Sequence, residues 1–267
     1  MYRNIRDADL RGRKHLCMVE SELVVKRLIN SPAWQIHSLF MSPQKYERLK
    51  DHLNSITVPI YVADVSLMSE ITGFYIHRGV LAAVHRICDA VKPIESLINE
   101  LNLKQTFSLL LAEGITNIDN MGTLFRNAAA FDVDGIILDP TCCDPLYRKS
   151  IRVSMGHVFS IPWSVSSNWR VDLQTLKSEL DVQLIGCETN EKAIPMWDVQ
   201  RSDRIALVMG EEKSGLSHLT MTLCDVIAEI PMNDKVPSLN VGVASAVGLY
   251  ELLLRHRFDS GKTAHLF

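Results

Sequence analysis

Five short apolar runs constrain most strongly what this 267-residue chain can fold into. They are Phe107-Ser-Leu-Leu-Leu-Ala112, Val133–Leu138, Val182–Cys187, Ile205–Met209 and Val226–Ile230. Each is too short for a typical helix and nearly unbroken in Val, Ile and Leu. A strand with one wet face alternates apolar and polar residues, and these do not. They read as strands covered on both faces, which is the signature of a parallel sheet. Helical spacing fills the gaps between them, over 121–131, 145–154, 173–180, 216–223 and 240–257, with 158–163 extended. Strands alternating with helices predict an α/β domain with a mostly parallel sheet.

The first part of the chain carries a second, smaller α/β pattern. Helices are expected over 22–29, 44–53 and 66–71, and strands over 36–41, 58–62 and 79–84. The boundaries that follow are a small N-terminal domain over 1–90, a linker over 91–104 and a larger domain over 105–267. An apolar fraction of 47% is enough to build both cores.

Charge and cysteine usage exclude several classes. The net charge of −3 argues against a general polyanion binder. Residues 1–50 are the exception, with ten Lys/Arg, among them Arg6, Arg11, Arg13, Lys14, Lys26, Lys45 and Arg48, against five acids including Asp7 and Asp9. That local excess either meets phosphates or is a solvated surface. The six cysteines, Cys17, Cys88, Cys142, Cys143, Cys187 and Cys224, form no C-x-x-C pair and have no histidines at ligand spacing. Reduced thiols and no metal are expected. No apolar run reaches the ~18 residues needed to span a bilayer, and Met1-Tyr-Arg-Asn-Ile-Arg-Asp7 has no signal-peptide core. A soluble, cytoplasmic protein is the expectation.

Ligands of parallel sheets bind beyond the carboxyl ends of the strands, so four polar exits matter. After the 107–112 strand, Asn120 and Gly122 open a helix that carries Arg126, whose guanidinium fork suits a phosphate or carboxylate; Asn120 could equally be a plain helix cap. After 205–209 comes Gly210-Glu-Glu-Lys-Ser-Gly215-Leu216-Ser217. A P-loop would place Lys-Ser or Lys-Thr after Gly215, and the two carboxylates oppose a nucleotide phosphate. After 182–187 comes Glu188-Thr-Asn-Glu191, a polar loop of low specificity. After 226–230 comes Ile230-Pro-Met-Asn-Asp-Lys-Val-Pro-Ser238-Leu239-Asn240, which leads into a helix of small residues from Val241 to Gly248. That helix can approach another backbone closely, and Ser238 and Asn240 stand at its positive end.

Taken in order, three segments resemble the signature motifs of the SpoU/TrmH family of RNA 2′-O-ribose methyltransferases, in the SPOUT superfamily. They are Asn120-Met-Gly122-Thr-Leu124-Phe-Arg126-Asn-Ala128, Gly210-Glu-Glu212-Lys-Ser-Gly215-Leu216, and Ile230-Pro-Met232 with Ser238-Leu-Asn240-Val241, Ala244 and Leu249-Tyr-Glu251. Asp144-Pro-Leu and Arg152-Val-Ser-Met-Gly156 resemble the family text between them. Glu20-Ser-Glu-Leu-Val-Val25 and His77-Arg-Gly-Val-Leu-Ala82 resemble the small RNA-binding domain found before it in many members.

The resemblance implies S-adenosylmethionine as methyl donor, a trefoil knot over 182–257, and a homodimer acting on RNA, ribosomal RNA before transfer RNA. It implies Arg126, Asn120, Glu212, Asn240 and Ser238 as catalytic residues. Gly210, Ile230, Leu239, Glu188 and Thr189 become the cofactor-binding residues. The chain departs from the family pattern at Asp132 and Asp234, where glycine is usual, and at Gly242, where serine is usual. Those departures leave open a non-catalytic RNA-binding protein on the same fold; a third reading, an α/β enzyme for small molecules, lacks a recognisable nucleotide loop and has the basic first block against it.

Overall fold

The computed structural model describes residues 2–3, 15–86, 91–233 and 235–255. Asp234, Cys88, His256, Arg257 and the N-terminal charges Arg6, Asp7, Asp9, Arg11, Arg13 and Lys14 lie outside the described residues. The chain divides into two compact units: Met1–Val91 with Asp144–Ser160, and Lys92–Cys143 with Ile161–Phe267. The elements run β1 (Leu16–Glu20), α1 (Glu22–Ile29), β2 (Ile36–Met41), α2 (Pro43–Leu53), β3 (Ile60–Val62), α3 (Val65–Thr72), β4 (Val80–His85), α4 (Ile94–Asn102) and β5 (Phe107–Ala112). Then follow α5 (Ile118–Ala130), β6 (Gly135–Leu138), α6 (Arg148–Val153), β7 (Trp163–Val165), α7 (Trp169–Leu180), β8 (Gln183–Cys187) and β9 (Ile194–Pro195). The last are β10 (Arg204–Met209), α8 (His218–Leu223), β11 (Val226–Glu229) and α9 (Val241–Leu249).

The first unit is a four-stranded sheet in the order β1-β4-β2-β3. Strand β4 is antiparallel to β1 and β2, and β2 is parallel to β3. Its helices start where capping chemistry allows. The Ser21 hydroxyl accepts the Val24 N–H at 3.4 Å, and Ser42 accepts the Lys45 N–H at 3.3 Å with Pro43 in the first turn. One core cluster gathers Leu16, Met18, Phe40, Leu81 and Ala83 from three strands with Met68, Ile76 and Tyr2. The Tyr2 hydroxyl bonds the Ser38 carbonyl at 2.9 Å, and burial pushes its pKa up to about 12. Strand β1 had no counterpart in the sequence reading.

Residues 144–160, expected in the larger domain, belong to this first unit. Arg152 reaches Glu20 at 2.6 Å, Asp144 pairs with Arg86, and Arg27 donates to the Met155 carbonyl. The stretch expected to be extended over 158–163 instead holds a short 3-10 turn, His157–Phe159.

The second unit is a seven-stranded sheet, β7-β6-β5-β10-β8-β11-β9, with every pairing parallel. Alternate residues Leu109, Leu111, Ile137, Leu184, Ala206 and Val208 form one apolar face under α4 and α7. The text expected to be a linker over 91–104 is largely this helix α4. It buries Ile94, Leu97, Ile98 and Leu101, at helical spacing, into that face. The opposite face carries Leu110, Ile136, Ile185 and Leu207, all buried. Helix α9 lies on this face, where a Cβ at Gly248 would come within 3.0 Å of Leu207.

Helix α5 ends in a Schellman motif: Val133 N–H bonds Ala128 O at 2.9 Å, and Asp132 N–H points to Ala129 O at 3.5 Å. Asp132 therefore takes φ 57°, a left-handed value that glycine adopts freely. Asp132→Gly should stabilise the protein by about 0.5–1 kcal/mol, read as a higher denaturant midpoint with an unchanged slope. A lower midpoint would show that the aspartate side chain stabilises the turn.

Candidate active site

Strand order brings the four polar exits together. Strands β5, β10, β8 and β11 are neighbours, so the chain segments after Ala112, Met209, Cys187 and Glu229 leave one edge of the sheet side by side. Between them opens a cavity of about 320 Å³. Met209, Gly210, Ile230, Met232, Leu239, Val241 and Ala244 supply its apolar and backbone surface. Glu188, Thr189, Glu211, Glu212, Ser214, Glu229 and Ser238 supply most of its polar surface. A smaller cavity of about 180 Å³ adjoins it, lined by Ile115, Thr116, Asn117 and Asn120. Glu211, Glu212, Lys213 and Val241 line both.

The residues where the two cavities meet are joined by one side chain. The Asn240 amide nitrogen donates to Asn120 Oδ1 at 3.0 Å and also to a carboxylate oxygen of Glu212. Its carbonyl oxygen accepts the Gly242 N–H at 2.9 Å and the Val243 N–H at 3.3 Å, which caps α9. One planar amide thus links the segments after β5, β10 and β11. Asn120 is free for this because it is not the helix cap. Asn117 caps α5 instead, accepting from Asp119 N at 2.8 Å and Asn120 N at 3.3 Å.

The loop from Gly210 to Leu216 is clamped from two sides. Glu188 accepts the Leu216 N–H at 2.8 Å, and Glu113 accepts the Ser217 N–H at 3.0 Å and the Ser217 hydroxyl at 2.7 Å. Consecutive N–H groups that would cradle phosphate in a P-loop are filled here by the protein's own carboxylates. The loop folds back so tightly that a Cβ at Gly210 would lie 2.3 Å from the Gly215 carbonyl carbon.

Helices α5 and α9 explain the small residues after Asn240. The Asn127 amide donates to the Gly242 carbonyl at 2.6 Å and to Ser245 Oγ at 2.8 Å. Asn120, Thr123 and Asn127 fall on one stripe of α5, at i, i+3 and i+7. A Cβ at Gly242 would come within 2.6 Å of Thr123 Cγ2, which accounts for glycine at this position. Gly242→Ser should cost about 1–3 kcal/mol through overpacking, and adding Thr123→Ser should recover part of it. Thermal melts of the single and double variants test this pair; strictly additive losses would rule out the contact.

Arg126 stands on a different face of α5 from Asn120. Six residues rotate a helix by about 600°, so Arg126 points about 120° away from Asn120. It is exposed, lines neither cavity and has no hydrogen-bond or ion-pair partner among the described residues. The other nine residues named from sequence fall at the cavities or at the Asn240 junction. The sequence reading assigned no role to Glu113, Asn117, Thr123, Asn127 or Ser245. Only Asn117, an Asn followed by Ile118 and Asp119, carried a local signal, that of a helix cap. Cys187 also lines the larger cavity, but burial pushes its thiol up to about 12, so it stays protonated and is a poor nucleophile. Among the described residues no group of His, Cys, Asp and Glu is placed to hold a metal, and no helix is long and apolar enough to cross a membrane.

A parallel sheet with its ligand cavity beyond the strand ends defines an α/β protein that binds a small cofactor-sized molecule. Residues 82–250 match the model of the SpoU rRNA Methylase family. An uncharacterised tRNA/rRNA methyltransferase of Mycobacterium bovis is 35% identical over 92% of this chain and 83% of its own length. The 23S rRNA (guanosine-2′-O-)-methyltransferase RlmB of Acinetobacter baylyi is 28% identical over 78% of this chain and 83% of its own. The crystal structure of the SpoU methyltransferase AviRb from Streptomyces viridochromogenes, in complex with the cofactor AdoMet, superposes with a TM-score of 0.80 at 22% identity. It covers 97% of this chain and 96% of that one. The chain belongs to the SpoU family of RNA methyltransferases and has the SPOUT α/β fold. An unrelated small-molecule enzyme is thereby excluded.

Proposed function

We propose that this protein transfers a methyl group from S-adenosylmethionine to a ribose 2′-hydroxyl of ribosomal RNA, with a guanosine of 23S rRNA as the favoured target. The observation that carries this reading is the Asn240 amide, which holds Asn120 and Glu212 together where a cofactor-sized cavity meets a smaller one. The relatives named for guanosine 2′-O-methylation of 23S rRNA support the choice of substrate.

The lining chemistry fits this cofactor. Glu188, Glu211, Glu212 and Glu229 against Lys213 make the cavity acidic, which favours a cationic ligand and disfavours a nucleoside phosphate. Backbone groups of Gly210, Ile230 and Leu239, flanked by Glu188 and Thr189, would hold its adenosine and methionine portions. When bound, S-adenosylmethionine supplies an electrophilic methyl group on a sulfonium centre. Asn120, Glu212, Ser238 and Asn240 would position the ribose and shape the loop, which makes the approach nearly unimolecular. A ribose hydroxyl is a weak nucleophile at neutral pH. Arg126, always charged and with no acceptor of its own, serves by clamping the target phosphate and stabilising developing alkoxide charge.

Arg126 is on an open surface of its own chain, so we take the active form to be a homodimer in which a second copy brings RNA and Arg126 together. Light scattering on the purified protein tests the oligomeric state. The chain course over 182–257 is read as a trefoil knot. The insertion of β10 between β5 and β8, and of β11 between β8 and β9, supports this over the described part. The first unit, 1–91 with 144–160, is read as the RNA-recognition part and the second, 92–143 with 161–267, as the methyltransferase part, acting in the cytoplasm.

The non-catalytic alternative rested on Asp132, Asp234 and Gly242. Asp132 ends a helix about 18 Å along its axis from Asn120, and Gly242 makes room for Thr123; Asp234 lies outside the described residues. Mapping 2′-O-methyl positions in ribosomal RNA from cells with and without the gene tests the reading. One guanosine should lose its methyl group and regain it on complementation. Identical maps would overturn the proposed substrate. Absence of S-adenosylhomocysteine binding in calorimetry would overturn the enzyme. Arg126→Lys should lower transfer and leave that binding unchanged; near-full transfer would remove Arg126 from the chemistry.

A further inference from the structure

We propose that the first unit carries a subsite for one unstacked nucleotide of single-stranded RNA, formed by Tyr75, His77, Arg78 and Lys45. The proposal rests on the reading of the protein as an RNA methyltransferase and adds where and how the strand is gripped. A cavity of about 300 Å³ opens at the start of α1, lined by Ser21, Glu22, Leu23, Lys45, His77 and Arg78. That volume is at the small end of ligand sites and suits one nucleotide more than a large fragment.

Its charge is organised around one carboxylate. Glu22 pairs with Lys45 at 2.8 Å, Lys26 at 3.1 Å and Arg48 at 3.1 Å. The hydrogen bond from Lys45 leads in holding its carboxyl below the usual range, so the cluster stays ion-paired near neutral pH. Arg78 has no hydrogen-bond or ion-pair partner among the described residues and is exposed. Three cations therefore pair with one anion, and a fourth, Arg78, lines the same cavity unpaired. The excess attracts phosphate, and the anion holds the three Lys and Arg side chains in place.

Aromatic surface stands beside this charge. The His77 ring meets Tyr75 edge to face, with centroids 4.4 Å apart. Tyr75 is 69% exposed, so burial does not explain an aromatic residue there. Exposed aromatic rings beside cations form a stacking platform, because every base has a π face and every nucleotide a phosphate. A duplex offers phosphates but keeps its base faces covered, and a phosphorylated peptide would leave Tyr75 idle. Both observations together select a single strand.

The test uses the full-length protein and fluorescence anisotropy with labelled oligoadenylate and with an RNA duplex of equal length. Tyr75→Ala should weaken oligoadenylate binding by about 5- to 150-fold. Tyr75→Phe should bind like wild type, and duplex binding should be the same for all three proteins. Arg78→Ala should flatten the log–log salt dependence by about 0.7. A circular-dichroism melt with the wild-type midpoint shows that each variant remains folded. Tyr75→Ala that binds oligoadenylate as tightly as wild type overturns the subsite and leaves the RNA reading standing. An equal loss on duplex and single strand also overturns it, in favour of a plain cationic surface. A wild-type protein that binds S-adenosylhomocysteine but neither RNA refutes the RNA reading itself.

Discussion

Gly210→Ala is expected to abolish cofactor binding and to destabilise the protein by about 2–3 kcal/mol. The added Cβ would lie 2.3 Å from the carbonyl carbon of Gly215, 2.5 Å from its oxygen and 2.5 Å from the Leu216 nitrogen. All three are backbone atoms, so no side chain can turn aside. Relief would require the 211–215 turn to move outward. That turn is fixed by the Gly215 N–H to Glu211 carbonyl bond at 2.8 Å and by Glu188 on the Leu216 N–H at 2.8 Å. Any outward shift breaks at least one of these, and it also carries Glu212 away from Asn240. Calorimetry with S-adenosylhomocysteine, paired with a thermal melt, separates the two effects. Wild-type affinity in Gly210→Ala would show that the turn is soft and that the close contact is unimportant for binding.

Asn240→Asp is expected to lower methyl transfer by about 30- to 150-fold, or about 2–3 kcal/mol, with little loss of stability. Aspartate keeps the oxygen that accepts the Gly242 and Val243 N–H groups, and it is as good a helix cap as asparagine. It loses the two N–H donors to Asn120 and Glu212. A carboxylate then faces the Glu212 carboxylate, and the pair must share a proton or move apart. Transfer should recover partly in Asn240→Asp/Glu212→Gln, where the glutamine amide becomes the donor. Asn240→Ala should lose both functions, with the same loss of transfer and about 1 kcal/mol less stability. The assay is transfer to ribosomal RNA from cells lacking the gene, at saturating cofactor. Full activity in Asn240→Asp would mean that the amide is only a cap.

The sheet was legible because burial on both faces leaves a local mark. The runs at 107–112, 182–187, 205–209 and 226–230 each match a strand of the parallel sheet to within one residue at either end. Elements whose burial is one-sided were harder to read. Helix α4 presents Glu95, Asn99 and Glu100 between its buried residues, so the same text suits a connector. Strand β1 is five residues long, follows a basic stretch, and gains its place only by pairing with β4.

The candidate site was legible as three motifs in order, and that order identified the family before any geometry. The sequence by itself determined the residue types and the local frames: a small-residue helix after Asn240, a two-glycine turn after Met209, and an amide on the helix after Ala112. Only the tertiary structure decided that Asn120, Glu212 and Asn240 meet, since they are 120 and 28 residues apart. The reason is strand order. With β10 laid between β5 and β8, and β11 beside β8, exits distant in sequence leave the sheet as neighbours. The turn of Arg126 away from Asn120 needs no tertiary contact, because the pitch of the helix alone sets which residues share a face. Glycine at 242 likewise has no meaning in its own segment; the Thr123 methyl group on another helix gives it one.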